Sequence, residues 1–72
     1  MSIEKINLWL ELYTEIIGDA DEMSKRGFKQ KAEELYAKAE GMKEALEIFG
    51  YTVVEEYNEA VDGVEFVVVE ED

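Results

Sequence analysis

Two glycines punctuate the chain, and the hydrophobic period changes after the second. Ahead of Gly27, apolar residues fall at Ile3, Ile6, Leu10, Tyr13, Ile17 and Ala20. Between the glycines they fall at Phe28, Ala32, Leu35, Ala39, Met42, Leu46 and Phe49. Alternating steps of three and four place each row on one face of a helix. Beyond Gly50 come β-branched and aromatic runs, Tyr51-Thr52-Val53-Val54 and Val64-Glu65-Phe66-Val67-Val68-Val69. These suit the pleated surface of a strand.

Local signals agree with that division. Ser2 can accept from a free N–H of the first turn, and Glu4 lies where the helix dipole favours negative charge. Gly27 and Gly50 can each take the left-handed position that closes a helix, and Tyr51 then falls where it can touch Leu46. Gly18, inside the first row, costs about 1 kcal/mol relative to Ala and weakens the middle of that helix. Asp62-Gly63 is the signature of a two-residue hairpin turn. Such a turn pairs Val61 with Val64, Glu59 with Phe66 and Tyr57 with Val68. It gathers Tyr57, Val61, Val64, Phe66 and Val68 on one face, with Glu59 as the exception. The sequence therefore predicts a helix over 2–26, a helix over 28–49 and a β-hairpin over 51–70. The fold class is α+β, an antiparallel helix hairpin followed by a β-hairpin (α-α-β-β) in two layers. With 72 residues it is a single domain whose small core gives it little stability to spare.

The stretch Ala20, Met23, Gly27, Phe28, Ala32, Tyr36 and Ala39 resembles the small-aromatic-small spacing of one tetratricopeptide helix hairpin. No second repeat follows, so the resemblance implies close packing of two helices and not a peptide-binding solenoid.

The formal net charge is −12, and its distribution is uneven. Residues 24–43 hold six of the seven cations; residues 44–72 hold ten acids and no cation. Glu33, Glu40, Glu44 and Glu47 fall near one line of the second helix. Taken alone, that row reads as a solvated face. Glu55, Glu56, Glu59, Asp62, Glu65, Glu70, Glu71 and Asp72 add to it. Together they read either as a solubility device or as a surface matched to a basic partner.

Helix 1 is more apolar than its core row requires, since Leu8, Trp9, Leu12 and Ile16 widen the arc beyond the roughly 100° a core face needs. Either the hairpin and helix 2 cover its two flanks, or part of it meets another chain. Trp9, with Leu12 beside it, is the natural anchor for such a contact, since Trp is enriched at interface hot spots. Ala37, Gly41 and Ala45 form a small-residue row on helix 2, read as an exposed side in preference to a seat for the close approach of another backbone. Val54, Val67 and Val69 stand with Glu56 and Glu65 on the outer face of the ribbon, which could accept a partner strand at its edge or be partly covered by helix ends.

The chain has no His and no Cys, which removes thiolate nucleophiles, zinc-thiolate sites and His-dependent triads. Asp19-Ala20-Asp21-Glu22 lacks the spacing of a calcium loop. There is no phosphate-binding or dinucleotide motif, so no metal or other cofactor is expected and an enzyme is the third-ranked reading. Its mark would be a deep pocket holding a carboxylate of strongly raised pKa. Direct nucleic-acid binding is opposed by the net charge. No basic leader or spanning segment is read, which points to the cytoplasm.

In length, charge, lack of Cys and His, and the acidic run from Glu44 to Asp72, the chain resembles the small acidic proteins that phages and mobile elements use against host defence nucleases, including anti-CRISPR proteins. The resemblance is one of type and transfers no residue. It implies a nucleic-acid mimic acting in the host cytoplasm, an inhibitor that binds the basic groove of a nucleic-acid-processing or defence protein. The expected contact residues are Trp9, Leu12, Glu40, Glu44, Glu47, Glu55, Glu56, Glu59, Asp62 and Glu65. The alternative is a self-associating structural or accessory protein, a homodimer whose helix 1 surplus is buried against a second copy.

Overall fold

The computed structural model describes residues 2–71; Asp72, counted above in the acidic tail, lies outside the described residues. Helix α1 (Ile3–Lys25) and helix α2 (Lys29–Ile48) precede strands β1 (Tyr51–Asn58) and β2 (Gly63–Glu70). The strands form an antiparallel two-stranded sheet. The architecture is the expected α-α-β-β order.

The helix ends are fixed where the sequence marks them. The Lys5 backbone N–H donates to Ser2 Oγ at 3.2 Å. At the other end of α1, Gly27 has φ +87°. Its N–H donates to Ser24 O, and the Phe28 N–H donates to Met23 O at 2.9 Å. That pair of bonds satisfies carbonyls the helix leaves free. Gly50 ends α2 with φ +84° and an N–H donated to Glu47 O.

Antiparallel packing of the helices is set by cross-links at both ends: Trp9 to Met42 and Asp21 to Tyr36. Ala20, Ala32 and Ala39 are buried between them, and small side chains there let the backbones approach closely. Tyr13 and Leu46 supply the large buried side chains. Among the described residues these five make up the whole buried core. Phe28 and Phe49, expected at the two ends of the α2 core row, are instead exposed. Both occupy cap positions, where the spiral that carries the row has stopped and the backbone turns away.

The hairpin departs from its expected register. Asn58 pairs with Gly63, Tyr57 with Val64, Glu55 with Phe66 and Val53 with Val68. The turn is four residues, Glu59 to Asp62, and not the expected two-residue Asp62-Gly63. Two side chains build it. Asn58 Oδ1 accepts from the Ala60 N–H at 2.9 Å, an Asx turn. Asp62 takes the left-handed conformation, φ 48°, and its Oδ1 accepts from the Tyr57 hydroxyl at 2.6 Å. The Asp62 N–H donates to Glu59 O at 3.2 Å. Because the register shift is even, side chains keep their faces. Tyr57, Val64, Phe66 and Val68 still share the face turned to the helices. Val61 and Glu59 leave the ladder for the turn, and Glu55 and Glu70 are the acids on that face.

The hairpin tip overhangs the helices. Tyr57, Val61 and Val64 are 63%, 62% and 60% exposed. The molecule measures 38 × 30 × 20 Å with a radius of gyration of 13.1 Å, against about 11 Å for a compact chain of this length.

Candidate functional site

The acids of the hairpin occupy three positions around one protruding element. Glu55 lies on the helix-facing side opposite Phe66, while Glu56 and Glu65 are direct cross-strand partners on the outer side. Glu59 and Asp62 stand in the turn. All are exposed, as are Glu40, Glu44 and Glu47 on α2. Among the described residues the single ion pair joins Arg26 to Glu22 at 3.1 Å, so none of these carboxylates is neutralised by a cation of its own chain.

The fold brings Glu40 of α2 and Glu55 of β1 to bear on Tyr13 of α1. Burial first, then the charges of Glu40 and Glu55, push the Tyr13 phenol above its ordinary value of 10.0. Tyr36 is raised chiefly because its hydroxyl donates to Asp21, and Tyr57 chiefly because its hydroxyl donates to Asp62.

Trp9 is tied into the fold. Its indole N–H donates to Met42 O at 3.2 Å, and its ring stacks on Tyr13 with centroids 4.9 Å apart. Tyr13 in turn meets the edge of Phe66 at 5.1 Å. The three rings thus run from the helix-helix seam to the ribbon. Leu8 and Leu12 remain 57% and 47% exposed. The surplus of α1 is therefore divided, Trp9 and Ile16 being half-buried and the two leucines facing outward. Ala37, Gly41 and Ala45 are exposed, and open space surrounds the position a Gly41 Cβ would take. On the outer ribbon face Val54 pairs with Val67 and Thr52 with Val69; these valines share that face as expected, but in the shifted register.

Two clefts open where β2 crosses α1. One, of about 590 Å³, is lined by Leu10, Glu11, Glu15 and Glu65 with Val64 and Phe66. The other, of about 500 Å³, lies on the Tyr13 side and includes Asp21, Tyr36 and Glu55. Sequence reading missed Asp21 and Tyr36 as neighbours. Asp21 lies six residues before Gly27 and Tyr36 nine after it, within one helical turn of matching positions on two antiparallel helices, and that is the signal that could have joined them. Among the described residues no three carboxylates gather as a metal would require, and no helix is long and apolar enough to cross a membrane.

No family model, curated protein or solved structure matches the chain. Its function is therefore argued from its own surface.

Proposed function

We propose that this chain is a protein-binding inhibitor whose acidic hairpin enters the basic groove of a nucleic-acid-processing or host-defence protein. The Glu56–Glu65 pair carries the proposal. Like charges placed directly across two strands oppose the pairing that forms the sheet, and a single Lys at either position would relieve them. The pair persists in a segment of 29 residues without a cation, on an element that projects from the helices. Carboxylates on both sides of the ribbon and in its turn suit a groove whose walls are both positive. Exposed Val61 and Tyr57 at the tip supply apolar contact once the groove has excluded water. Long-range attraction speeds the encounter, and the desolvated tip slows release.

Capture experiments with the tagged chain test this reading. Wild-type chain is expected to retain a nucleic-acid-binding protein from bacterial lysate at about 0.1 M salt and to release it at about 1 M, where the Debye length drops from about 10 Å to 3 Å. Glu55→Lys, Glu56→Lys and Glu59→Lys together are expected to keep the fold and abolish both capture and inhibition. Undiminished inhibition by a folded triple variant refutes the acidic-hairpin mechanism.

A second reading, self-association, is favoured by one observation. The accessible surface is 5472 Å², where size scaling gives about 4,600 Å² for a monomer of this mass. The difference is comparable to the roughly 800 Å² that each partner buries in a standard interface, and Leu8 and Leu12 are among the exposed apolar residues. A dimer by light scattering that persists at high salt and is lost in Leu8→Ser, Leu12→Ser identifies this reading.

A further inference from the structure

The cleft on the Tyr13 side joins aromatic and acidic side chains. Its walls carry three aromatic rings, Tyr13, Tyr36 and Phe66, with Val64 beside them, and its edges carry the carboxylates of Asp21 and Glu55. These residues come from both helices and both strands, so the cleft exists only in the folded chain. Tyr13 and Phe66 are set nearly at right angles, 87° between planes, forming a corner. Tyr36 is held by the bond from its hydroxyl to Asp21. That bond uses one of about four acceptor positions on the carboxylate. Neither Asp21 nor Glu55 has a cation within ion-pair distance among the described residues. Glu40 adds negative field from the α2 side, as its influence on the Tyr13 phenol attests.

Each wall selects against a different occupant. An anion is repelled by the carboxylates. A purely apolar segment would strip water from Asp21 and Glu55 and give nothing in return. A cation satisfies both the carboxylates and the exposed ring of Tyr36, while Tyr13, buried beneath Trp9 and Phe66, forms the floor. Between the two cationic side chains, the flat guanidinium stacks on aromatic rings and donates in a fork to a carboxylate; the compact, strongly hydrated ammonium does neither as well. The volume, about 500 Å³, falls within the range of roughly 300–1,000 Å³ that small-ligand sites occupy. It admits a whole side chain and part of the backbone that bears it.

We propose that this cleft receives an arginine side chain from a basic partner protein. The proposal rests on the function above only in taking the partner to be basic, and it places a specific contact behind the hairpin, away from the Glu56–Glu65 face. Docking of one arginine there would fix how the hairpin is oriented in the groove.

The test is a titration of the ¹⁵N-labelled chain with acetyl-tetra-arginine amide, followed by amide chemical shifts. Saturable shifts are expected at Thr14, Gly18, Asp21, Tyr36, Glu55 and Phe66. Asp21→Asn with Glu55→Gln is expected to weaken binding about tenfold, because two charge-assisted contacts become neutral ones. Glu70→Gln with Glu71→Gln removes the same charge outside the cleft and is expected to change affinity less than about twofold. The side-chain amide introduced by Asp21→Asn can still accept from the Tyr36 hydroxyl, and Glu55→Gln alone, at an exposed strand position, serves where the double variant loses its thermal midpoint. Equal weakening by the two double variants overturns the site, as does tetra-lysine binding as tightly as tetra-arginine. Binding of tetra-arginine in the cleft by a chain that captures no nucleic-acid-binding protein defeats the proposed function and leaves the site standing. Capture without saturable peptide shifts does the reverse.

Discussion

The helix pair and the hairpin are built on opposite terms. Among the described residues, all five that are buried belong to the helices: Tyr13 and Ala20 on α1, Ala32, Ala39 and Leu46 on α2. Neither strand contributes one. α1 is capped at both ends and α2 is closed at Gly50, and small side chains lock the pair; the hairpin touches them through a half-buried strip centred on Phe66 and sends its tip past them. Most of the stability therefore resides in one half of the molecule, and most of the net negative charge in the other. A surface element can carry an unfavourable pair such as Glu56 and Glu65 only because another part of the chain supplies the cohesion.

Core truncation breaks this contrast most severely. A chain of this size has about 4–11 kcal/mol of stability in all. Leu46→Ala is expected to remove about 2–5 kcal/mol and to melt both halves together in a urea titration followed by far-UV circular dichroism. Phe66→Ala, at a half-buried position, is expected to remove only about 1–2 kcal/mol. It should raise amide exchange in β1 and β2 well before that in α1 and α2. Equal exchange in both halves of this variant would mean that helices and hairpin open as one unit.

Glycine replacement sharpens the contrast from the other side. A Cβ at Gly18 or at Gly41 meets nothing within 4 Å, and both lie inside helices. Gly18→Ala and Gly41→Ala are each expected to add about 0.5–1 kcal/mol and to raise the thermal midpoint, and Gly41→Ala, outside the cleft, is expected to leave partner binding unaltered. Loss of binding in Gly41→Ala would expose a close contact that the isolated chain lacks. The smallest effect is alkaline. Tyr13, Tyr36 and Tyr57 all titrate above 10.0 in the folded chain. Above that pH the unfolded chain has lost phenolic protons that the folded chain retains. Stability is thus fully present below about pH 10 and falls as pH rises through the folded values. Urea midpoints measured across that interval, with phenolate absorbance, check the sign.

Much of the fold was legible because it is written locally. Ser2, Gly27 and Gly50 mark helix ends through bonds that span three to five residues, and the periodicity of the rows between them needs no tertiary information. The hairpin was legible as an element, but its register was not. Asp62-Gly63 suggested a two-residue turn, whereas Asn58 and Asp62 together stabilise a longer one through side-chain bonds that compete with the ladder. The faces survived the error because the shift is even. The candidate surface was half legible. Charge segregation is visible in the chain itself, but the meeting of Asp21, Tyr36 and Glu55 depends on how three elements pack. Trp9 shows the same limit: its type fits an interface anchor, and the fold ties its indole to Met42.

Both rims of the two-stranded ribbon are unpaired, and β2 carries three consecutive valines, Val67, Val68 and Val69. Such rims are templates for stacking one chain upon another. At neutral pH mutual repulsion holds copies apart. Near the isoelectric point, about 4.2, that barrier vanishes while the valine run stays. The same carboxylates that make the chain attractive to a positive surface thus also guard it against fibril growth, and acidification withdraws both protections at once.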